Sequence, residues 1–259
     1  MLLLAVLVMF AGPLLASLPF LGVLDGAGSG LPPGAAVGLQ AGFQVLSCVI
    51  VVALVVGWRR LMHRPVVAAG LTWSRAGALR FLVGALAIAG GLTAVRLVAV
   101  ALGAMEFHTW SDADLGGLPV VAVVGAVVVQ ALVYQAFPEE LIWRGHVTDV
   151  LRDRWSPGTV LVVTSVAFGL LHIFSQGGQE TVLDHAAYVT MAILLGFACG
   201  AARLRTGGTG AAVGVHAGFH LANNFLPATA GSVVADALVM GVALAVVGAG
   251  FLLARRVPG

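Results

Sequence analysis

The segment "QAFPEELIWRGH", residues 135–146, places two adjacent carboxylates in an otherwise apolar region. Arg144 follows Glu140 by four residues, so the two side chains share one helical face and can form an ion pair. Neighbouring side chains diverge by about 100° on a helix, so Glu139 points elsewhere and could act as a general base toward water. Alternatively, both acids follow Pro138 merely as favourable charges in the first turn of a helix.

Imidazole and amide side chains occur in two later apolar segments. In "FGLLH", Phe168 and His172 lie four residues apart, on one face of a helix. A single histidine in an apolar span can be a hydrogen-bonded core residue, but polar groups that share a face inside lipid need a common partner. The segment "VHAGFHLANN" supplies such a set by i, i+4 and i, i+7 or i+8 spacing: His216, His220, Asn223 and Asn224.

The overall composition makes these polar groups unusual. Of 259 residues, 60% are hydrophobic and 9% are charged, whereas soluble domains carry about 25% charged residues. This composition predicts an all-α integral membrane protein with a single polytopic domain over residues 1–259. The sequence has no basic patch interleaved with aromatic residues, which argues against a nucleic-acid partner. All basic residues are arginine, which together with abundant Ala, Val and Gly indicates a bacterial source and an inner-membrane location. Cys48 and Cys199 lie in apolar runs and are expected to pack as free thiols.

The hydrophobic pattern predicts about eight transmembrane helices, because a crossing requires about 20 apolar residues. The first segment lacks a basic leader and a cleavage site, so we expect a retained span rather than a signal peptide. Gly84, Gly90 and Gly91 are expected to permit close helix packing. The predicted spans are residues 2–22, 35–57, 77–104, 118–137, 158–175, 185–202, 209–227 and 232–254.

The distribution of arginine predicts the orientation. Loops after the second, fourth and sixth spans, and the C-terminus, carry Arg59, Arg60, Arg64, Arg75, Arg144, Arg152, Arg154, Arg203, Arg205, Arg255 and Arg256. The alternate loops carry no basic residue but hold Asp25, Glu106, Asp112, Asp114, Glu180 and Asp184. The positive-inside rule therefore predicts that both termini are cytoplasmic, which an even number of spans requires.

Other polar residues are given structural interpretations. Arg96 has no acidic neighbour on its own span, so we expect it to extend toward the outer interface. His63, His108, His146 and His185 lie in or beside predicted loops and are expected to be solvated.

Depth in the membrane links the acids to the histidines. His172 and His220 each lie about 15 residues from the cytoplasmic start of their span, or about 20 Å at 1.5 Å per residue. Glu139 reaches the same depth only if the fourth helix continues to about Arg154, which gives about 37 residues, too many for one straight crossing. We therefore expect the fourth helix to be kinked or broken near Pro138.

Together, three motifs resemble those of the CPBP family, which comprises CAAX proteases and bacteriocin-processing enzymes and is also called the ABI family. The family's type II CAAX prenyl endopeptidases are eight-span intramembrane proteases, and the resemblance implies a catalytic core at residues 118–228. The motifs here are Glu139-Glu140-x-x-x-Arg144, Phe168-x-x-x-His172 and a His-x-x-x-Asn in the seventh span.

The resemblance implies roles for these residues. Glu139 and His172 would activate a water molecule for attack on an amide carbonyl, while Glu140 would assist or pair with Arg144. It implies a metal-independent mechanism without a cofactor, although Glu139, His172 and His220 are residue types that can also bind zinc.

The third motif allows two alignments. The upstream glycines favour His216 as the motif histidine, which leaves His220 at the position of the asparagine. A shift by one helical turn gives His220-x-x-x-Asn224, which fits the pattern literally and is preferred. In that alignment His220 and Asn224 stabilise the oxyanion, with His216 and Asn223 in support.

These observations favour an intramembrane endopeptidase with a pocket open toward the cytoplasm. Its partners would be the lipid bilayer and a membrane-anchored peptide or protein tail; prenylated substrates are not expected in a bacterial cell. One alternative is a non-catalytic scaffold or immunity protein with the same fold. Another is a small proton-coupled transporter, although no inverted repeat supports it. The sequence does not specify the substrate, the cleavage site or the oligomeric state.

Overall fold

The structure is a computed structural model that describes residues 2–18, 31–71, 74–111, 115–175 and 177–254. The protein is 81% helical, which confirms the predicted all-α class. Within the described residues, eight helical segments follow the predicted spans: α1 (Leu2–Ser17), α2 (Pro33–Leu61), α3 (Arg75–Ala101), α4 (Val120–Leu151), α5 (Pro157–Leu171, extended by a 3-10 turn, His172–Phe174), α6 (Val182–Thr206), α7 (Thr209–Phe225) and α8 (Val233–Leu253).

Length and apolar character distinguish six of these helices. Helices α2 to α6 and α8 are each long and apolar enough to cross a membrane. Helix α1, with 16 residues, and α7, with 17 residues, are shorter. Several helix starts are fixed locally, because the hydroxyls of Ser74, Ser156 and Ser232 accept hydrogen bonds from backbone N–H groups in the first turn. The chain is thus a multi-pass membrane protein.

Contacts between loops show which helix ends lie together. Strand β1 (Glu106–Phe107), after α3, pairs antiparallel with β2 (Ala228–Thr229), after α7. Near the opposite end, the N–H of Thr209 donates to the carbonyl of Gly70 at 2.9 Å. This grouping agrees with the predicted alternation of loops, while the direction across the membrane stays a prediction. Five residues of the charge argument lie outside the described residues: Asp25, Asp112, Asp114, Arg255 and Arg256.

Helix α4 runs through Pro138 without a break. Widened π-helical turns, Val129–Ala136 and Leu141–Val147, flank the short α-helical segment Phe137–Glu140. Proline has no backbone N–H, so a regular helix would lose one hydrogen bond here. The π-helical turns change the pairing on both sides of Pro138 and keep the backbone helical. Of the two predicted alternatives, a kink or a break, the break is absent, and α4 is a continuous helix with an altered hydrogen-bond pattern around Pro138.

Small residues bring α3 and α7 into backbone contact. A Cβ atom on Gly84 would lie 2.2 Å from the carbonyl oxygen of Ala211, and one on Gly214 would lie 2.0 Å from that of Phe81. These distances exclude any side chain, so the predicted packing role is confirmed for Gly84. At Gly90 no atom lies within 4 Å of such a Cβ, and the prediction is wrong there. Close packing of α3 fixes the position of α7, which carries the histidines.

Candidate active site

A cavity of ≈ 430 Å³ lies between α1, α2, α4, the end of α5, α6 and α7. Most of its lining is apolar, as expected inside a membrane domain. Four of the predicted site residues line it: Glu139, His172, His216 and His220. Three helices that are distant in sequence therefore bring a carboxylate and three imidazoles to one cavity.

The two adjacent glutamates have different surroundings. Glu140 is fully buried, and its Oε1 accepts a hydrogen bond from Arg144 Nη1 at 2.9 Å. This confirms the predicted i, i+4 ion pair. Glu139 lines the cavity, and its Oε2 has no hydrogen-bond partner among the residues that the structure describes. The carboxyl group of Glu139 is thus the one available to a substrate or a water molecule.

A buried hydrogen-bond network surrounds Glu140. His216 Nδ1 lies 2.9 Å from Glu140 Oε1, so this nitrogen donates to the carboxylate. Arg144 Nη2 donates to the carbonyl of Gly196 on α6 at 2.6 Å. Gly196 permits this approach, because a Cβ there would lie 3.1 Å from Arg144 Nη2 and 3.0 Å from Ser165. The network joins α4, α6 and α7 directly beneath the cavity.

Phe168 holds the aromatic groups of the site in place. Its ring is fully buried, and the Arg144 guanidinium carbon lies 4.8 Å from the ring centroid. The centroids of the His172 and His216 rings lie 4.6 Å and 5.8 Å from it. Trp143 packs edge-on against the same ring at 6.2 Å. Phe168 therefore links all three motifs, which is a positioning role rather than contact with a reacting group.

His172 is oriented by its own helix. It occupies the first position of the turn that extends α5, and its Nδ1 lies 2.8 Å from the carbonyl oxygen of Phe168. Because a carbonyl only accepts, Nδ1 carries the proton, and in the neutral ring Nε2 is the acceptor. The half-buried ring lines the cavity near Tyr188, with 6.5 Å between the ring centroids. An unprotonated Nε2 could accept a hydrogen bond from water.

The structure does not bring the asparagine of the preferred third-motif alignment to the cavity. Asn224 is exposed near the end of α7, where its amide donates to the carbonyl of His220 and its carbonyl accepts from Trp110 Nε1. Asn223 accepts a hydrogen bond from Arg96 and lies outside the main cavity. Their position on the histidine face of α7 does not bring these two amides to the cavity. The last residue of α7 that lines the cavity is His220, about one helical turn before Asn224. The structure instead brings together His216 and His220, whose ring centroids lie 5.1 Å apart.

Two other polar residues also differ from expectation. Arg96 is 3% exposed and does not extend outward; its Nη1 donates to the carbonyls of Ala222 and Leu226 at the end of α7. His146 is fully buried rather than solvated, with its ring 4.0 Å from that of Trp58. Its Nδ1 lies 3.3 Å from Arg59 Nη1. Both side chains therefore tie helices together.

The geometry does not favour the proposed zinc set. Among the described residues, the donor atoms that come within 4.8 Å of one another belong to Glu140, Cys199 and His216. Arg144 already donates to the Glu140 carboxylate at 2.9 Å, so a divalent cation there would meet a fixed positive charge. This donor set therefore fits a resident zinc poorly.

The cavity extends toward the helix ends that carry β1 and β2. Ser175, directly after the turn that ends α5, is part of its lining, as is Tyr188 near the start of α6. Toward the arginine-rich end, every residue of Leu141–Val147 is buried. Arg203 Nε donates there to the carbonyl of Arg144 at 3.2 Å. The side of the membrane toward which the cavity opens stays a prediction.

Sequence reasoning missed several residues of the cavity. Tyr134 and Gln135 precede Glu139 by about one helical turn and line the cavity with it. As polar residues in an apolar span, they carried the same signal as the histidines. Tyr188 and Ser47 gave no such signal, because their place at the site depends on how α6 and α2 pack.

A multi-pass helical membrane fold with an internal carboxylate and imidazole cavity defines the class of the protein. Residues 121–225 match the sequence model of the family described as type II CAAX prenyl endopeptidase Rce1-like. The match runs from the start of α4 to the end of α7 and includes all three motifs. This match supports the resemblance of the chain to the CPBP family of CAAX proteases. No curated protein matches the chain.

Proposed function

We propose that the protein is an intramembrane endopeptidase that uses Glu139 as its general base. The observation that supports this most strongly is the position of Glu139, whose carboxyl group lines a cavity shared with three imidazoles. The carboxylate of Glu140 accepts hydrogen bonds from Arg144 and His216, so the two adjacent acids have different roles. One acid meets the substrate, and the other holds the site together.

The proposed reaction is direct attack by water on the scissile amide. Glu139 accepts a proton from a water molecule that His172 Nε2 also orients, and the water oxygen bonds to the carbonyl carbon. The carbonyl oxygen becomes an oxyanion, which an N–H of His220 stabilises. Glu139 then gives its proton to the nitrogen as the C–N bond breaks. The products are a free carboxyl end and a free amine, with no oxidation or reduction.

The location of the cavity favours a membrane-associated substrate. The cavity lies among helices that span the membrane, so a peptide bond must come close to the bilayer to reach Glu139. CAAX proteases act on membrane-associated tails, which agrees with this position. We propose a membrane-anchored peptide or protein tail as the substrate and a bacterial cell membrane as the location.

The test compares purified wild-type protein with Glu139→Gln in detergent. The substrates are fluorescently labelled lipopeptides and membrane-protein tails, and the readout is product mass and rate. Glu180→Gln is the matched control, because Glu180 is an exposed acid outside the cavity. Wild type and the control should cleave, whereas Glu139→Gln should lose about 10² or more in rate, as removal of a general base does.

Two results would contradict the proposal. If Glu139→Gln cleaves as fast as the control, Glu139 is not the base. If folded wild-type protein cleaves none of its native membrane partners, the chain instead acts as a non-catalytic scaffold. A scaffold would also keep its cellular function with Glu139→Gln.

A further inference from the structure

Arg96 is a buried cation without an ion pair. It is 3% exposed, and no carboxylate among the described residues forms a salt bridge with it. Its Nη1 donates to the carbonyls of Ala222 and Leu226, and its Nη2 donates to the amide oxygen of Asn223. These acceptors at the C-terminal end of α7 offset part of the charge, because that end of a helix is negative. A guanidinium has five N–H donors, so Nε–H and one N–H of Nη2 remain.

The unused edge of the guanidinium belongs to a second cavity. Arg96 lines this cavity of ≈ 250 Å³ together with His108, Asn223 and Asp236, at the end of the protein that carries β1 and β2. Its Nε is buried and has no hydrogen-bond partner among the residues that the structure describes. Nε and Nη2 share one edge of the guanidinium, which matches the two oxygens of a carboxylate. One water molecule requires only about 15 Å³, so the cavity has room for a carboxylate and its adjoining atoms.

The carboxylate of Asp236 in this cavity is bound elsewhere. Its Oδ1 accepts a hydrogen bond from the N–H of Ala230 at 2.7 Å, and its Oδ2 accepts one from the hydroxyl of Thr229 at 3.1 Å. Its negative charge opposes the binding of a second carboxylate. Removal of this charge therefore strengthens the binding of an anion and weakens the binding of a cation, which gives a test of the ligand's charge.

The second cavity adjoins the candidate active site. Tyr188 of α6 lines both cavities, and its ring centroid lies 6.5 Å from that of His172. On α7, Asn223 follows His220 by three residues, or about 4.5 Å along the helix axis. An extended peptide spans about 3.3–3.6 Å per residue, so a short stretch of one peptide can contact both cavities.

We propose that the Arg96 cavity binds a carboxylate of the substrate and that Arg96 is a specificity-determining residue. This inference rests on the proposed function, because it assigns the carboxylate to the same peptide that Glu139 attacks. The carboxylate belongs either to the C-terminal end of the peptide or to an Asp or Glu side chain near the scissile bond. The guanidinium edge binds both in the same way, so the test uses peptides that separate them.

Binding is measured first on full-length Glu139→Gln protein in detergent, so that cleavage does not enter. Three fluorescent peptides of equal length are compared by anisotropy: one with a free C-terminal carboxylate and no acidic residue, one amidated with a single Asp, and one amidated and neutral. We expect one of the two acidic peptides to bind about tenfold or more tightly than the neutral one, as hydrogen bonds to a charged group do. Equal Kd values for all three peptides would overturn the proposal.

Two further substitutions in the same background assign the effect to this cavity. Arg96→Gln should remove the preference for the acidic peptide, whereas Arg154→Gln, which changes an exposed arginine, should keep it. Asp236→Asn should lower the Kd of the acidic peptide and leave that of the neutral peptide unchanged. A higher Kd of the acidic peptide with Asp236→Asn would overturn the proposal, and this result does not depend on the folding of Arg96→Gln.

Cleavage of the same peptides separates this inference from the proposed function. With Glu139 present, Arg96→Gln should raise KM for the acidic peptide about tenfold with little change in kcat, because Arg96 binds away from the reacting bond. A purely structural role would change the KM or kcat of the neutral peptide equally. Carboxylate-dependent binding without any cleavage would contradict the proposed function alone. Cleavage of acidic and neutral peptides with equal KM would overturn the role of Arg96 alone.

Discussion

The buried pair of Glu140 and Arg144 leads to a stability prediction that separates the two adjacent acids. Both side chains are 0% exposed, and their ion pair measures 2.9 Å. Glu140→Gln keeps the shape of the side chain but removes its charge, which leaves the Arg144 guanidinium uncompensated in the protein interior. Removal of one partner of a buried ion pair costs about 3–5 kcal/mol. We expect Glu140→Gln to lower the free energy of unfolding by this amount.

The expected change is large enough to measure as a shift in Tm. For a chain of this size, 1 kcal/mol corresponds to about 2–4 °C, so Glu140→Gln should lower Tm by about 6–20 °C. Glu139→Gln should change Tm little, because Glu139 Oε2 has no hydrogen-bond partner among the described residues. Unfolding in detergent can be followed with a thiol-reactive dye, since Cys48 and Cys199 are buried in the folded protein.

A double variant provides the control. Glu140→Gln combined with Arg144→Leu leaves no unpaired charge, so part of the lost stability should return. The reasoning is refuted if Glu139→Gln lowers Tm as much as Glu140→Gln does. It is also refuted if the double variant is less stable than the sum of the single changes.

Three further predictions follow from the packing and the cavity. Gly214→Ala should destabilise the protein by about 1–3 kcal/mol, because the new Cβ would lie 2.0 Å from the carbonyl oxygen of Phe81. Gly90→Ala should be tolerated, because no atom lies within 4 Å of a Cβ there. Equal Tm values for the two variants would contradict this prediction. His220→Ala should reduce turnover by about 10²–10³, as loss of an oxyanion donor does, while Asn224→Ala keeps activity. A loss of similar size in Asn224→Ala would restore the literal third motif, His220-x-x-x-Asn224. A strong chelator should leave the cleavage rate unchanged, and inhibition that added zinc reverses would show a metal requirement.

Local spacing predicted part of the site correctly. The pairing of Glu140 with Arg144 depends only on four residues of one helix, and the structure confirms it. The helices themselves were predictable because apolar length is a local property of the chain. The multi-pass helical class is likewise confirmed.

The remaining errors concern contacts between helices. Spacing on α7 placed His216, His220 and Asn224 on one face, but only the packing of α7 against α4 decides which turn meets Glu140. That packing depends on glycine contacts such as Gly214 with the backbone of α3. His146 appeared to follow a span, yet Trp58 and Arg59 of α2 cover it.

Pro138 shows a different limit of sequence reasoning. Loss of one backbone donor predicted a kink or a break in the helix. The π-helical turns on both sides keep α4 continuous, so Glu139 lies within a helix rather than at a helix end. A sequence pattern signals the missing donor but does not show how the neighbouring turns adjust.

The role of Glu139 is tested most directly by turnover measured on variants of equal stability. Wild type, Glu139→Gln and Glu180→Gln should have matching Tm values in the same detergent, and their cleavage of a membrane-anchored peptide is then compared. We predict that Glu139→Gln loses about 10² or more in rate while Glu180→Gln keeps the wild-type rate. Full activity of a folded Glu139→Gln protein would contradict the assignment of Glu139 as the general base.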